Sequence, residues 1–403
     1  MKILIYSHDW APSIGGVQTV TMSLARGLAE WREDEAGAVP QVTVVTATPA
    51  AGMDDSSMPF RVARRPGVVT LARLMRNADL IHLAGPSLFP LFLSWLLHKL
   101  VVVEHHSFQA ACPNGLLFYE PDQAPCPGHF MARRYGECLR CNTANVGWWK
   151  SSLLLLATFP RRWFSKKASA NLTPTRWLAS VLRLPRMITM PHGVHEGRPS
   201  GILSASSPVT FTFLGRLVPL KGVRYLLEAA EQLQQLGLTF RLKIIGEGPQ
   251  RKGLEQMARE LGLDGCVEFL GYVPPERLEE AMANADAVVL PSLGGEVFGL
   301  AAVENMLRGR VAIVPAGGAM AEVVGDAGLQ FPPADVEGLA LCLQSFLEDS
   351  ALRQKLSRKG RARSLELFEE QRMVKQHLEF YRELLGTKGR PAVKSRDSVP
   401  VDA

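Results

Sequence analysis

Apolar residues in this chain fall in short runs separated by longer amphipathic stretches, which is the pattern of alternating strands and helices. In the first half, Ile3–Tyr6, Val42–Val45, Leu80–Leu83 and Val101–Val103 predict strands, and Val17–Glu30 and Pro86–His98 predict helices. Leu172–Pro174 and Met187–Pro191 read as the last strands of that half. The second half restarts the pattern with strands at Val209–Leu214, Phe240–Ile245, Cys266–Leu270, Ala287–Leu290 and Val311–Val314. Helices are expected between them at Val223–Leu236, Gln250–Leu261, Pro275–Asn284 and Gly299–Arg308, and further on at Glu337–Asp349 and Leu352–Leu385. Strands that alternate with helices argue for βαβ units and parallel sheets, whose ligands bind where the strands end.

A chain of 403 residues is too long for one typical core. The expected architecture is α/β: two doubly wound, Rossmann-like domains facing each other across a cleft. The first spans residues 1–195, a linker 196–208 follows, and the second spans 209–370. A C-terminal helix, 371–386, is expected to pack back on the first domain, ahead of a polar, disordered tail at 387–403. Within the first domain, Cys112–Asn145 is rich in Pro, Gly, Cys and aromatics and reads as an insertion. The net charge of +6 is mild and no basic block is dense, so no nucleic-acid partner is expected. MKILIYSHDW turns polar too early for a signal peptide, and no apolar run reaches 18 residues, which points to the cytoplasm and to reduced cysteines. In that compartment the Asn171-Leu172-Thr173 tripeptide is an accident of sequence.

Three loops carry candidate chemistry. Pro12–Gly16 lies between the first strand and helix, where Gly15-Gly16 permits close approach of a phosphate or sugar, although a flexible turn serves equally well. Gly215-Arg216-Leu217-Val218-Pro219-Leu220-Lys221-Gly222 places two cations at a strand end, as a pyrophosphate site requires and as a solvated basic loop would also show. GGEVFGLAAVENM at Gly294–Met306 follows an apolar run and sets Glu296 in a loop and Glu304 two turns into a helix. The helix start near Phe298-Gly299-Leu300 would then offer its free N–H groups to an anion, with carboxylates on either side for sugar hydroxyls. The plainer alternative is a capped helix with two solvated glutamates.

GRLVPLKG, then IIGEGP at Ile244–Pro249, FLGYV at Phe269–Val273 and PS…GEVFGLAAVEN at Pro291–Asn305 together resemble the family 4 retaining glycosyltransferases of GT-B fold. Gly15-Gly16-Val17 and Met190-Pro191-His192-Gly193-Val194 extend the resemblance over most of the chain. It implies that Arg216 and Lys221 bind the donor diphosphate, that Glu296 touches the donor sugar and that Glu304 holds the ribose. Gly215, Phe298, Gly299 and Leu300 would line the phosphates, and Gly271, Tyr272 and Val273 the base. Gly16 would lie near donor and acceptor, and His106 would face the donor sugar, with His105 as the alternative to His106. The resemblance further implies a UDP-, GDP- or ADP-sugar donor, a glycan or lipid-linked acceptor, a cell-envelope polysaccharide as product, and no catalytic metal. His192 and His195 depart from the family's usual PNGVD. A sugar-nucleotide epimerase or phosphorylase, or a non-catalytic scaffold, are the other readings of this architecture.

Cys112, Cys126, Cys138 and Cys141 form a candidate structural zinc site, with an iron–sulfur cluster or plain thiols as alternatives. Trp148-Trp149 through Lys167 mixes aromatics, leucines and the basic residues Arg161, Arg162, Lys166 and Lys167. It reads either as a core helix with a basic end or as an interfacial helix, placing the protein peripherally on an anionic membrane face.

Overall fold

A computed structural model describes residues 1–13, 15–32, 39–195 and 208–386, and divides into two compact units. The first contains Met1–Gly115, Gly128–Gly193 and the stretch beginning at Glu370; the second contains Leu116–Pro127 and Val194–Glu369. The expected linker, apart from Pro208, and the expected tail 387–403 lie outside the described residues.

In the first unit, β1 (Lys2–Ser7), α1 (Gly16–Glu30), β2 (Gln41–Thr46), β3 (Arg61–Arg64), α2 (Val68–Asn77), β4 (Leu80–Ala84), α3 (Leu88–Leu96) and β5 (Leu100–Glu104) alternate in order. A short hairpin of β6 (Phe118–Tyr119) and β7 (Ala124–Pro125) groups with the second unit. The chain then continues through α4 (Tyr135–Lys167), β8 (Ala170–Thr173), α5 (Arg176–Leu182) and β9 (Met187–Thr189). The seven long strands pair in the order β3-β2-β1-β4-β5-β8-β9, every pair parallel. Ile3, Leu4 and Ile5 are all buried, because helices on both faces leave no wet side for alternation. β3 escaped the sequence reading because RVAR is half charged, which suits its place at the sheet edge. α2 escaped it too, since only Leu71 and Met75 of that helix are buried.

The second unit runs β10 (Val209–Leu214), α6 (Val223–Gln235), β11 (Phe240–Ile245), α7 (Arg251–Glu260), β12 (Val267–Gly271), α8 (Pro275–Ala281) and β13 (Ala287–Val289). It continues through α9 (Leu300–Leu307), β14 (Val311–Pro315), α10 (Ala319–Val324), β15 (Leu329–Phe331), α11 (Val336–Glu348) and α12 (Ser350–Leu367). Its sheet is parallel throughout, in the order β12-β11-β10-β13-β14-β15. Phe211 and Phe213 alternate along β10 into a core closed by Leu226, Leu233 and Phe346.

The helical run expected at Leu352–Leu385 is two helices, because Phe368 leaves helical geometry between α12 and α13 (Glu370–Gly386). The Phe368 ring packs edge-on against Phe298 at 5.3 Å, and its carbonyl accepts from Val194 N–H at 2.8 Å. α13 then lies on α1, where a Cβ on Gly27 would stand 2.4 Å from Val374 Cγ2. Glycine at that position is what lets the two helices touch.

Candidate functional site

In the second unit, β10 and β13 are sheet neighbours although far apart in sequence, and the sheet builds away from them in opposite directions. The loops leaving their carboxyl ends therefore part, which opens a crevice where doubly wound sheets bind ligands. Those loops are GRLVPLKG and the segment from Pro291 to Gly299. Backbone bonds lock them to each other and to the loop after β11: Gly215 N–H donates to Ile245 O (3.0 Å), Leu217 N–H to Glu247 O (2.8 Å) and Leu293 N–H to Leu220 O (2.8 Å). Side chains would not fit at the crossings. A Cβ on Gly246 would sit 1.8 Å from Gly215 O, and one on Gly222, at φ +67°, 2.0 Å from Pro291 O. The glycines of the motif are thus a packing requirement before they are a phosphate cradle.

On this frame Lys221 Nζ pairs with Glu296 Oε1, each side chain about a quarter exposed at 27% and 24%. Arg216, in the same loop as Lys221, is exposed. Glu304 is in the second turn of α9, where burial raises its carboxyl above the usual range, with Glu279 adding to the rise and Arg308 opposing it. Gly299, at φ +101°, caps α9 and leaves room for Met320, whose Cγ lies 2.7 Å from where a Cβ would be. Phe298 is a core anchor against Phe368, so only its backbone faces the loop's chemistry. The structure brings Arg216, Lys221, Glu296, the start of α9 and Glu304 to one switch point. Gly271 ends β12, two strands away from β10, with exposed Tyr272 after it and Val273 packed against Met282 and Ala285.

In the first unit, Gly16 opens α1 directly after the β1 loop. His105 is fully buried and its Nε2 contacts Asn171 Oδ1 at 2.9 Å. Asn171 Nδ2 in turn donates to Ser165 O and Pro185 O, so the NLT tripeptide is part of the core. His106 is the more accessible neighbour, and its Nε2 turns to Glu104 Oε2 at 3.4 Å.

Glu104, at the end of β5, is the centre of a buried polar cluster that sequence reasoning missed. His82 Nε2 faces its Oε2 at 3.1 Å, while His192 Nε2 and His377 Nε2 face its Oε1 at 3.4 and 3.9 Å. Burial alone would raise this carboxyl, yet His106, His192 and His82 hold it well below the ordinary range. Burial pushes His377 down to about 4, and Tyr381 OH closes the cluster on His82 Nδ1 at 2.7 Å. The adjoining EHH at Glu104–His106 was the one local signal. His82 and His377 lie on β4 and α13, almost 300 residues apart, and no sequence pattern links them.

The aromatic stretch is the second arm of α4, which bends at Gly147 (φ 76°). Trp149, Leu153, Leu156 and Trp163 form a helical stripe that faces solvent; Trp149 is 77% exposed. Trp95 and Phe92 on α3 extend it through ring contacts at 5.7 Å to Trp163 and 5.9 Å to Phe164. Two of the four basic residues expected to serve this surface do something else. Arg161 donates to Pro86 O, and Arg162 to Ala110, Leu182 and Arg183 carbonyls, so both tie α4 to its own unit. Among the described residues no helix is long and apolar enough to cross a membrane. Cys112, Cys138 and Cys141 belong to the first unit and are buried, with Asn114 donating to Cys141 Sγ (3.6 Å) and its Oδ1 2.9 Å from Cys112 Sγ; Cys126 belongs to the second.

Residues 200–363 match the family model described as glycosyl transferases group 1. The chain is similar to an exopolysaccharide phosphotransferase of Streptomyces coelicolor, 33% identical over 54% of this chain and 23% of that one. It is also similar to the phosphatidyl-myo-inositol mannosyltransferase of Mycolicibacterium smegmatis, 37% identical over 36% of this chain and 37% of that one. The chain thus spans less than half the length of these two curated relatives. Among solved structures, Anabaena Alr3699/HepE in complex with UDP superposes with a TM-score of 0.69 at 18% identity, covering 95% of this chain and all of that one. The fold is GT-B: α/β, with two Rossmann-like units.

Proposed function

We propose that this protein is a retaining glycosyltransferase that moves a hexosyl group from a nucleoside-diphosphate sugar to a glycan or lipid-linked acceptor. The observation that carries the reading is the convergence, at the β10/β13 switch point, of Arg216, the Lys221–Glu296 pair, the start of α9 and Glu304. A nucleoside diphosphate leaves with developing negative charge, and two cations plus the free N–H groups of a helix start stabilise that charge as it forms. Lys221 and Arg216 take the diphosphate, and the backbone of Gly215 and Phe298–Leu300 lines it. Glu304 accepts from ribose hydroxyls, Glu296 from the sugar next to the reacting carbon, and Gly271–Val273 border the base. In the first unit, His106 acts on the donor sugar and Gly16 takes part in donor binding.

UDP, the nucleotide in the Anabaena structure, makes UDP-glucose the first donor to test. The measurement is nucleotide release across UDP-, GDP- and ADP-sugars, with anomeric configuration of the product read by NMR. A protein that releases nucleotide from none of these donors, while binding UDP no better than AMP, defeats the reading.

The α3–α4 stripe supports a lipid-linked acceptor. Apolar side chains at helical spacing that face water, with Lys166 and Lys167 at one end and Lys167 lying over the Trp163 ring, suit the interface of an anionic bilayer. Flotation with vesicles containing phosphatidylglycerol should recover the wild type but not a Trp149→Ser, Leu153→Ser, Leu156→Ser variant. Equal recovery of both overturns the membrane assignment and leaves the donor site untouched.

A further inference from the structure

The geometry points to a divalent transition-metal site of the zinc class in the first unit, held by Glu104, His106 and His192 with His377 as a fourth donor. It goes beyond the transferase reading and shares only His106 with it. One ligand atom from each of Glu104, His106 and His192 lies within 4.8 Å of the others. His106 Nε2 lies 3.4 Å from Glu104 Oε2, and His192 Nε2 lies 3.4 Å from Glu104 Oε1. Ligands about 2.0–2.1 Å from a zinc ion in a tetrahedral array stand roughly 3.3–3.4 Å from one another, which is the size of these two imidazole–carboxylate separations.

The tautomers argue the same way. His377 Nδ1 lies 2.9 Å from Met373 O, and a carbonyl only accepts, so the ring's proton is on Nδ1. A neutral His377 then presents a bare lone pair at Nε2 toward a Glu104 oxygen 3.9 Å away. Two lone pairs facing each other in a buried site repel, whereas a cation between them is ligated by both. A ring whose Nδ1–H is held by a backbone carbonyl is the usual posture of a metal-binding histidine. His377 Nε2, His106 Nε2 and Glu104 Oε1 are all buried and make no aligned hydrogen bond. His82, steadied by Tyr381, faces Glu104 Oε2, the same carboxylate oxygen that His106 faces. Imidazole with one carboxylate and no sulfur selects zinc or cobalt over magnesium or calcium. The ion would tie β5, the loop after β9 and α13 together, and so fasten the C-terminal helix to the sheet.

The full chain, stripped with chelator and titrated with Co²⁺, separates this site from the cysteines. Nitrogen and oxygen ligands give visible d–d bands alone, and thiolates add near-ultraviolet charge transfer. The expected result is a d–d spectrum in the wild type that survives Cys138→Ser with Cys141→Ser and disappears in His192→Asn and His377→Asn. Zn²⁺ should raise the melting temperature of the wild type and not of those two variants. Where a variant fails to fold by circular dichroism, the wild type decides alone. A folded, stripped wild type that develops no thiolate-free Co²⁺ spectrum overturns the proposal, as does a spectrum retained in folded His192→Asn and His377→Asn.

Discussion

Lys221→Ala separates catalysis from stability, and the structure sets both magnitudes. The Lys221–Glu296 pair is about a quarter exposed on each side, so losing it should cost only about 0.2–1 kcal/mol of stability. In a unit of this size that corresponds to a fall in melting temperature of about 4 °C or less. The rate effect should be far larger. A fixed cation about 4 Å from a developing charge is worth on the order of 4 kcal/mol at an effective dielectric of 20. Removing one preorganised stabilising group typically costs about 10²–10³ in kcat. The variant also leaves Glu296 without its paired cation and the diphosphate with Arg216 alone, so UDP affinity should fall as well. The assay is nucleotide release from the best donor of the screen, run beside UDP titration calorimetry and a thermal melt. Lys221→Arg should recover part of the rate, since charge returns without the original reach. Turnover within threefold of wild type, or a rate loss matched by a melting-temperature drop well beyond about 4 °C, would refute the reasoning.

Other consequences follow from the same geometry. Glu304→Gln should melt higher at neutral pH, because a carboxyl that burial raises is costly to ionise, while kcat/KM falls by about 10- to 100-fold from the lost charged hydrogen bonds; a variant that is neither stabler nor slower contradicts both halves. Gly246→Ala should not yield folded protein, since its Cβ would lie 1.8 Å from Gly215 O at a φ of +143°, and a wild-type melt would exclude the loop packing described. His105 is held down to about 4 by burial, below the ordinary 6.5, so the stability it contributes is present above about pH 6.5 and lost as pH falls through 4. At about 1.36 kcal/mol per unit, this amounts to on the order of 3 kcal/mol; urea denaturation midpoints at pH 7 and pH 4.5 should differ in that direction, and equal midpoints would count against the neutral buried ring. Asn171→Ala strips His105, Ser165 and Pro185 of a buried partner and should cost about 3–5 kcal/mol, read by the same denaturation.

The sequence by itself determined the βαβ alternation, the α/β fold with two Rossmann-like units and the two charged, glycine-rich loops. Those features are local: apolar runs make buried strands, and glycines and charges cluster in the turns that follow them. GRLVPLKG and GEVFGLAAVEN were legible because each loop carries its own chemistry within a dozen residues. Tertiary structure decided what depends on neighbours distant in sequence. It took His105 into the core through Asn171, 66 residues on. It turned Arg161 and Arg162 from presumed membrane charges into ties to backbone carbonyls on other segments. It also gathered His82, Glu104, His106, His192 and His377 around one carboxylate, from strands, a loop and the last helix. No periodicity encodes that meeting, because parallel strand order and the break at Phe368 place those residues together only after the chain has folded.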